Sequence, residues 1–280
     1  MDIPSALRVM ADDFSLTSID PRSTPGFDGG KSDGEEALAA GAEELSDLQE
    51  RLYAASRAGG RRAVLLIVQG MDTAGKGGIM RHVVGQVDPQ GVRIKAFKKP
   101  TEEELRHDFL WRIRKELPEP GYIGVFDRSQ YEDVLIHRVH GWADQAELDR
   151  RYAAIVDFEQ ELADSGILPL KVMLHISHQE QGERLLERLD RSDKHWKFNP
   201  TDIDERRHWP AYQEAYELAV HRTSTAAAPW HVVPADRKWF ARLAVQSILL
   251  EALRGMDPQW PAADFDVAVE RERLLATMDE

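Results

Sequence analysis

Apolar and polar positions along this chain alternate in blocks. Between 35 and 56, Leu38, Leu45, Leu48 and Leu52 recur near helical spacing, and Tyr53 extends that face, which predicts a helix. Residues 63–68 (Ala-Val-Leu-Leu-Ile-Val) contain no polar position and predict a strand buried on both faces of a parallel sheet. Further strands are expected at 92–97, 122–126 and 168–176, with a short one at 232–233. Helical patterns fall at 79–87, 101–117, 131–140, 144–165, 179–190, 204–223 and 237–253. The helix at 101–117 opens on Thr101 with Glu104 three residues on, the sequence form of a capping box. Strand and helix alternate, so the expected fold class is α/β, a parallel sheet flanked by helices on both faces.

Three segments follow from the same pattern. Residues 1–34, rich in Asp, Ser, Pro and Gly, read as an irregular leader. Residues 35–256 read as one domain, and 257–280 as a C-terminal tail. No run approaches the roughly 20 apolar residues of a membrane helix, and the first residues lack the basic and apolar regions of a signal peptide. No membrane association is therefore expected. The 280 residues include no cysteine, which excludes disulfides and thiolate chemistry and makes the reducing cytoplasm the expected location. Lys and Arg total 36 against 49 Asp and Glu, a net charge of −13. General nucleic-acid binding is not expected of such a chain, and a polyanionic ligand requires a local cluster of cations. The histidines show no H-x-x-x-H zinc pattern, and there is no nucleophile elbow.

The candidate chemistry begins at Gly70-Met-Asp-Thr-Ala-Gly75-Lys76, which fits G-x-x-x-x-G-K between a buried strand and a helix. Glycines at such positions, Gly75 and Gly77 among them, let successive backbone N–H groups turn inward around phosphate oxygens. The helix that follows presents its positive end, and Lys76 adds a point charge. Gly77 replaces the usual Ser or Thr, so no hydroxyl is available there for Mg²⁺. Asp72 lies within the loop instead, and a carboxylate beside phosphate implies an intervening cation, so Asp72 is a candidate Mg²⁺ ligand. Asp127 ends the third predicted strand, where a second metal-binding acid sits in such folds, and Arg128 offers a planar fork to phosphate. Lys98 and Lys99 follow the second strand. Arg188, Arg191, Lys194 and Lys197 fall within ten residues ahead of Pro200, and predict a mobile basic lid over about 184–204. Trp196 and Phe198 are its expected anchors to the body.

Together, Gly70-Met-Asp-Thr-Ala-Gly-Lys-Gly-Gly78, Phe126-Asp-Arg-Ser-Gln-Tyr131 and Lys194-His-Trp-Lys-Phe-Asn-Pro-Thr-Asp202 resemble the polyphosphate kinase 2 family over about residues 35–254. The resemblance implies a P-loop kinase fold similar to thymidylate kinase, with a basic helical lid. It implies Mg²⁺-dependent, reversible transfer of phosphate between inorganic polyphosphate and nucleotides, chiefly ADP to ATP, with AMP and GDP as further acceptors. It also implies dimers or tetramers. Asp72 and Asp127 match the family's metal-associated acids, and Lys76 and Arg128 its phosphate-binding pair. Residues 97–112 and the leader look like the subclass that uses both AMP and ADP. Asp127 stands where that subclass usually has Asn, as in the ADP-using subclasses. From the residues themselves, an ATP-dependent nucleotide or nucleoside kinase and a non-catalytic phosphate sensor stay open as alternatives.

Overall fold

The computed structural model describes residues 2–9 and 14–278; the remaining positions of the expected leader and tail lie outside the described residues. The stretch read as irregular contains a short helix, α1 (Ile3–Leu7), whose Ile3 and Leu7 are buried in the common core with Val9 and Leu16. Four apolar side chains interspersed among polar ones leave no period to detect, yet each finds a place in the core. α2 (Lys31–Arg57) starts four residues before the predicted helix and buries Leu45, Leu48 and Leu52. β1 (Ala63–Gly70) is buried at every position, Gln69 included, and its first six residues are all apolar, as a strand covered on both faces requires.

α3 (Lys76–His82) begins at the loop lysine itself, earlier than periodicity suggests. β2 (Val92–Ala96) follows and is largely exposed. The predicted helix 101–117 is not formed. In its place stand a 3₁₀ turn at Glu104–Arg106 and one helical turn, α4 (Trp111–Arg114). The capping pair exists, since the Thr101 hydroxyl accepts from Glu104 N–H and the Glu104 carboxylate from Thr101 N–H. Asp108 then accepts from Leu110 N–H and so competes with helix propagation, while Leu105 stays exposed and contributes no packing.

β3 (Ile123–Asp127), α5 (Glu132–Val139), α6 (Gln145–Asp164), β4 (Ile167–His175) and α7 (His178–Asp190) keep the expected alternation. The helix expected at 204–223 is two helices, α8 (Thr201–Arg206) and α9 (Trp209–Thr223), with Pro210 in the first turn of the second, where its missing N–H costs nothing. β5 (Trp230–Pro234), α10 (Lys238–Met256) and α11 (Val267–Ala276) complete the chain. All strands are parallel in the order β2-β3-β1-β4-β5, so the carboxyl ends of β1 and β3 are adjacent, with Val68 opposite Asp127. Among the described residues no helix is long and apolar enough to cross a membrane.

Two further features adjoin this sheet. Lys171 on β4 is fully buried; its ammonium donates to Glu159 Oε2 (2.6 Å), the Thr223 carbonyl (2.7 Å) and the Tyr131 hydroxyl (3.0 Å). Glu159 also accepts from Tyr131 (2.7 Å) and Gln130 (3.1 Å). At the sheet edge, Arg8 bridges antiparallel to His231 on β5, and Val9 N–H donates to the Trp230 carbonyl (2.9 Å).

Burial, and next the charge of Arg8, push His231 from 6.5 down to about 4. Its folded-state value lies below the unfolded one, so the unfolded chain takes up the proton first as pH falls. The ring therefore makes folding less favourable from about pH 6.5 toward pH 4, by about 3 kcal/mol in all. His231→Gln should flatten the fall of melting temperature across that window. An unchanged slope would assign the acid sensitivity to other groups.

Candidate active site

The loop between β1 and α3 owes its shape to three residues with positive φ. Gly70 and Gly75 lie at +152° and +120°, and Thr73 at +65°. The last is a conformation that an L side chain pays roughly 1–2 kcal/mol to adopt. Arg184 holds it in place. Its guanidinium donates to the Thr73 and Ala74 carbonyls (2.9 and 3.1 Å) and, on the other side, to the Ala235 and Asp236 carbonyls (2.7 and 2.9 Å). Glu180 accepts from its Nε at 2.8 Å. Arg184 thus ties the loop to the end of β5.

Lys76 Nζ donates to the Gly70 and Met71 carbonyls (2.6 and 3.3 Å). Burial, then the nearby Arg128 charge, lower its pKa, against the opposing pull of Asp72, Asp127 and Glu132. Arg128 follows Asp127 at the end of β3 with φ +65°, and its backbone N–H donates to the Val68 carbonyl (3.1 Å). This second left-handed residue aims the guanidinium back across the strand ends, where Nη2 meets Asp72 Oδ1 at 2.8 Å. Glu132, one helical turn on, is 3.7 Å from the other amino group. Glu132 first, with Asp72 and Asp127, outweighs burial and raises the pKa of Arg128, so it stays a cation. Burial pushes the Asp72 carboxyl up, but Lys76, Arg128 and Arg188 together bring it below its ordinary value.

These groups open into a cavity of about 590 Å³. Asp72, Gly75, Lys76, Gly77, Asp127, Arg128, Arg188, Lys194 and Lys197 all line it. Lys98, Lys99 and Arg191 do not. Both lysines follow β2, whose Ala96 pairs with Asp127 on β3, but they are exposed and stand outside this lining. Arg191 is turned outward into pairs with Asp193 and Glu187 (3.0 and 3.2 Å). Within the predicted lid, Arg188 Nη1 donates to the Lys197 carbonyl (3.1 Å) and lies 3.5 Å from Asp202. Trp196 is 78 % exposed and anchors nothing, while Phe198 is half-buried.

The cavity also has walls that no motif announces. Arg81, Lys238 and Arg242 line it as well. Burial lowers the pKa of Arg242, and neighbouring Arg184 and Arg81 add to this against Glu35, the signature of cations gathered together. Lys238 and Arg242 are separated from the loop by some 160 residues and carry no local pattern. Glu132 was discoverable, because it stands at i+4 from Arg128.

The donor set suits a hard cation. Asp72 and Asp127 are two carboxylates facing one cavity, and Mg²⁺ usually takes one or two protein carboxylates with phosphate and water completing its shell. Among the described residues no group of three or more His, Asp or Glu is arranged to hold a metal alone.

The matches to known proteins agree with one another. An AMP/ADP-polyphosphate phosphotransferase of Meiothermus ruber is 46 % identical over 248 residues, 89 % of this chain and 91 % of that one. An ADP-polyphosphate phosphotransferase of Rhodopseudomonas palustris is 43 % identical over 257 residues, 88 % and 86 % of the two chains. The crystal structure of polyphosphate kinase 2 from Arthrobacter aurescens TC1 superposes with a TM-score of 0.96 at 57 % identity, covering 99 % of this chain and 97 % of its own. The sheet and loop are accordingly those of a P-loop kinase fold. Since the model of the family "Polyphosphate kinase 2 (PPK2)" also matches residues 29–261, this chain belongs to the polyphosphate kinase 2 family.

Proposed function

We propose that this chain transfers the terminal phosphoryl group of inorganic polyphosphate to a nucleotide, chiefly ADP, to form ATP, reversibly and with Mg²⁺. The observation that carries the proposal is the lining of the cavity. Asp72 and Asp127 share it with the phosphate loop and with cations outside that loop, Arg81, Lys238 and Arg242 among them. A nucleotide needs only a short run of cations, whereas a polyphosphate chain carries about one charge per phosphate and needs them to continue past the reacting group.

In this reading the loop N–H groups and Lys76 hold the transferring phosphoryl group. Arg128, kept rigid by Asp72 and Glu132, faces its equatorial oxygens. Asp72 and Asp127 would hold Mg²⁺, which would supply neutralisation of phosphate charge. The acceptor is already an ionised phosphate, so no general base is required, and positioning with electrostatics supplies the rate. Segment 184–204 acts as the lid: Arg188, Lys194 and Lys197 close over the phosphates and exclude water, while Arg184 at its start stays fixed on the loop. The location is the cytoplasm, and the assembly a homo-oligomer.

AMP is the second acceptor to consider, because the Meiothermus ruber relative is named for both AMP and ADP. The test is incubation of the purified chain with Mg²⁺, long-chain polyphosphate and either ADP or AMP, with products separated by chromatography. ATP from ADP and little product from AMP is expected. Equal turnover of AMP would show that Asp127 does not select the acceptor. No product from either, together with turnover when ATP is the donor, would replace this reading with an ATP-dependent kinase.

A further inference from the structure

One helix grips the strained phosphate loop. α7 offers it two buried side chains, Gln181 and Arg184, whose spacing puts them on the same helical face. Gln181 Nε2 donates to the Asp72 carbonyl (3.3 Å), and Arg184 Nη1 to the Thr73 and Ala74 carbonyls (2.9 and 3.1 Å). Three successive loop carbonyls are thereby held against α7. The Thr73 hydroxyl also donates to the Gln181 carbonyl (3.5 Å), and Thr73 is the residue at φ +65°. A backbone kept in a sparsely populated conformation holds its shape only while its surroundings over-determine it. The placing of α7 therefore decides the placing of the loop.

Asp236 stands where α7 is fixed. It follows β5, is buried, and lies outside the cavity lining. Its Oδ1 accepts from the N–H of Ser177 (2.8 Å), the N-cap of α7. Its carbonyl accepts from Arg184 Nη2 (2.9 Å), and its N–H donates to the carbonyl of Pro21, in the segment ahead of α2 (3.1 Å). One residue thus joins the start of the helix, the guanidinium that holds the loop and the N-terminal segment. We propose that Asp236 is a positioning residue for the phosphoryl transfer: through Ser177 and Arg184 it fixes α7, and α7 fixes the phosphate loop. Its side chain serves as a hydrogen-bond acceptor for a neutral N–H, and a single oxygen meets that need. Oδ2 has no hydrogen-bond partner among the described residues. An amide at this position would offer the same acceptor without the charge.

Native-state hydrogen exchange of the full chain measures the order of the loop without any reaction, with melting curves to show that each variant is folded. Ala74 and Gly78 N–H donate within the loop to the Met71 and Gly75 carbonyls (3.1 and 2.7 Å), so loosening of the loop is read there. Asp236→Ala should speed exchange over 71–78 about tenfold, and Asp236→Asn should exchange like the native chain. The effect on rate rests on the proposed reaction. In it the loop holds the transferring group, while cations elsewhere in the cavity hold the rest of the polyphosphate. Asp236→Ala should therefore lower kcat about tenfold and leave the KM for polyphosphate within about twofold, and Asp236→Asn should restore kcat. Gln181→Met combined with Asp236→Ala should lower kcat by less than the product of the two single losses, because both act through α7. Native exchange in Asp236→Ala, an Asp236→Asn as impaired as Asp236→Ala, or losses that multiply in full would overturn the proposal. A native chain that turns over no polyphosphate would overturn the proposed reaction instead, and exchange would then decide the role of Asp236 in placing the loop.

Discussion

Lys76→Ala should lower the rate of polyphosphate-driven ATP formation by about 10³-fold or more, with little change in melting temperature. The size follows from its position. The ammonium lies within the loop, on the Gly70 and Met71 carbonyls, in a site where burial is the largest influence on its titration. A charge in such surroundings acts on the transferring phosphoryl group with little solvent screening, and loss of one preorganised donor alone typically costs 10²–10³-fold. The substitution also leaves Arg128 as the nearest cation, already engaged by Asp72 and Glu132. Lys76→Arg should recover little, since a planar fork does not fit between two carbonyls that hold a point charge. Steady-state rates with saturating ADP and polyphosphate, beside thermal melts, measure both halves of the prediction. Near-native turnover in Lys76→Ala would remove the loop from the chemistry.

Lys171→Met should destabilise the fold by about 3–5 kcal/mol. Glu159, buried to 1 % exposure, would keep two neutral donors, Tyr131 and Gln130, but lose the only cation within reach among the described residues. Burial already raises the Glu159 carboxyl, with Lys171 as the largest opposing influence, and without that cation the acid would take up a proton to remain inside. Lys171→Met combined with Glu159→Leu should lie closer to the native chain than the single variant, because removing both charges avoids the unpaired one. Urea unfolding of the three proteins measures this; equal stability of the single and double variants would mean that the pair is not the origin of the loss. Turnover of the folded fraction should change little, since the cluster lies outside the cavity lining.

The alternation of the fold was legible because strands such as 63–68 are apolar at every position and cannot be surface segments. The loop from Gly70 to Gly78 was legible because its chemistry is local and its spacing fixed. Helix 101–117 was misread for a nearby reason: Thr101 and Glu104 do cap each other, but a cap permits a helix and does not supply the buried face that sustains one. Lys98 and Lys99 follow a strand that does lie beside Asp127, yet both are exposed outside the cavity lining, since a place after a strand fixes a neighbourhood and not the direction of a side chain. Arg81, Lys238 and Arg242 were invisible because only the folded chain brings α3 and α10 around one cavity. Arg184 falls at the start of the predicted lid, yet its two amino groups are engaged by backbone carbonyls and its Nε by Glu180, a role that depends on two loops far apart in sequence.

The short antiparallel bridge from Arg8 to β5 joins segments made far apart in time. The Ser224 hydroxyl that donates to the Val9 carbonyl is 215 residues distant in sequence, so during synthesis the N-terminal arm waits for most of the chain before it can dock. Until then Ile3 and Leu7 have no place in the core, and β5, once made, has an open edge able to pair with any extended strand. Nascent chains crowded on one message would therefore be most prone to joining one another in the interval when β5 has emerged and the arm has not yet closed over it.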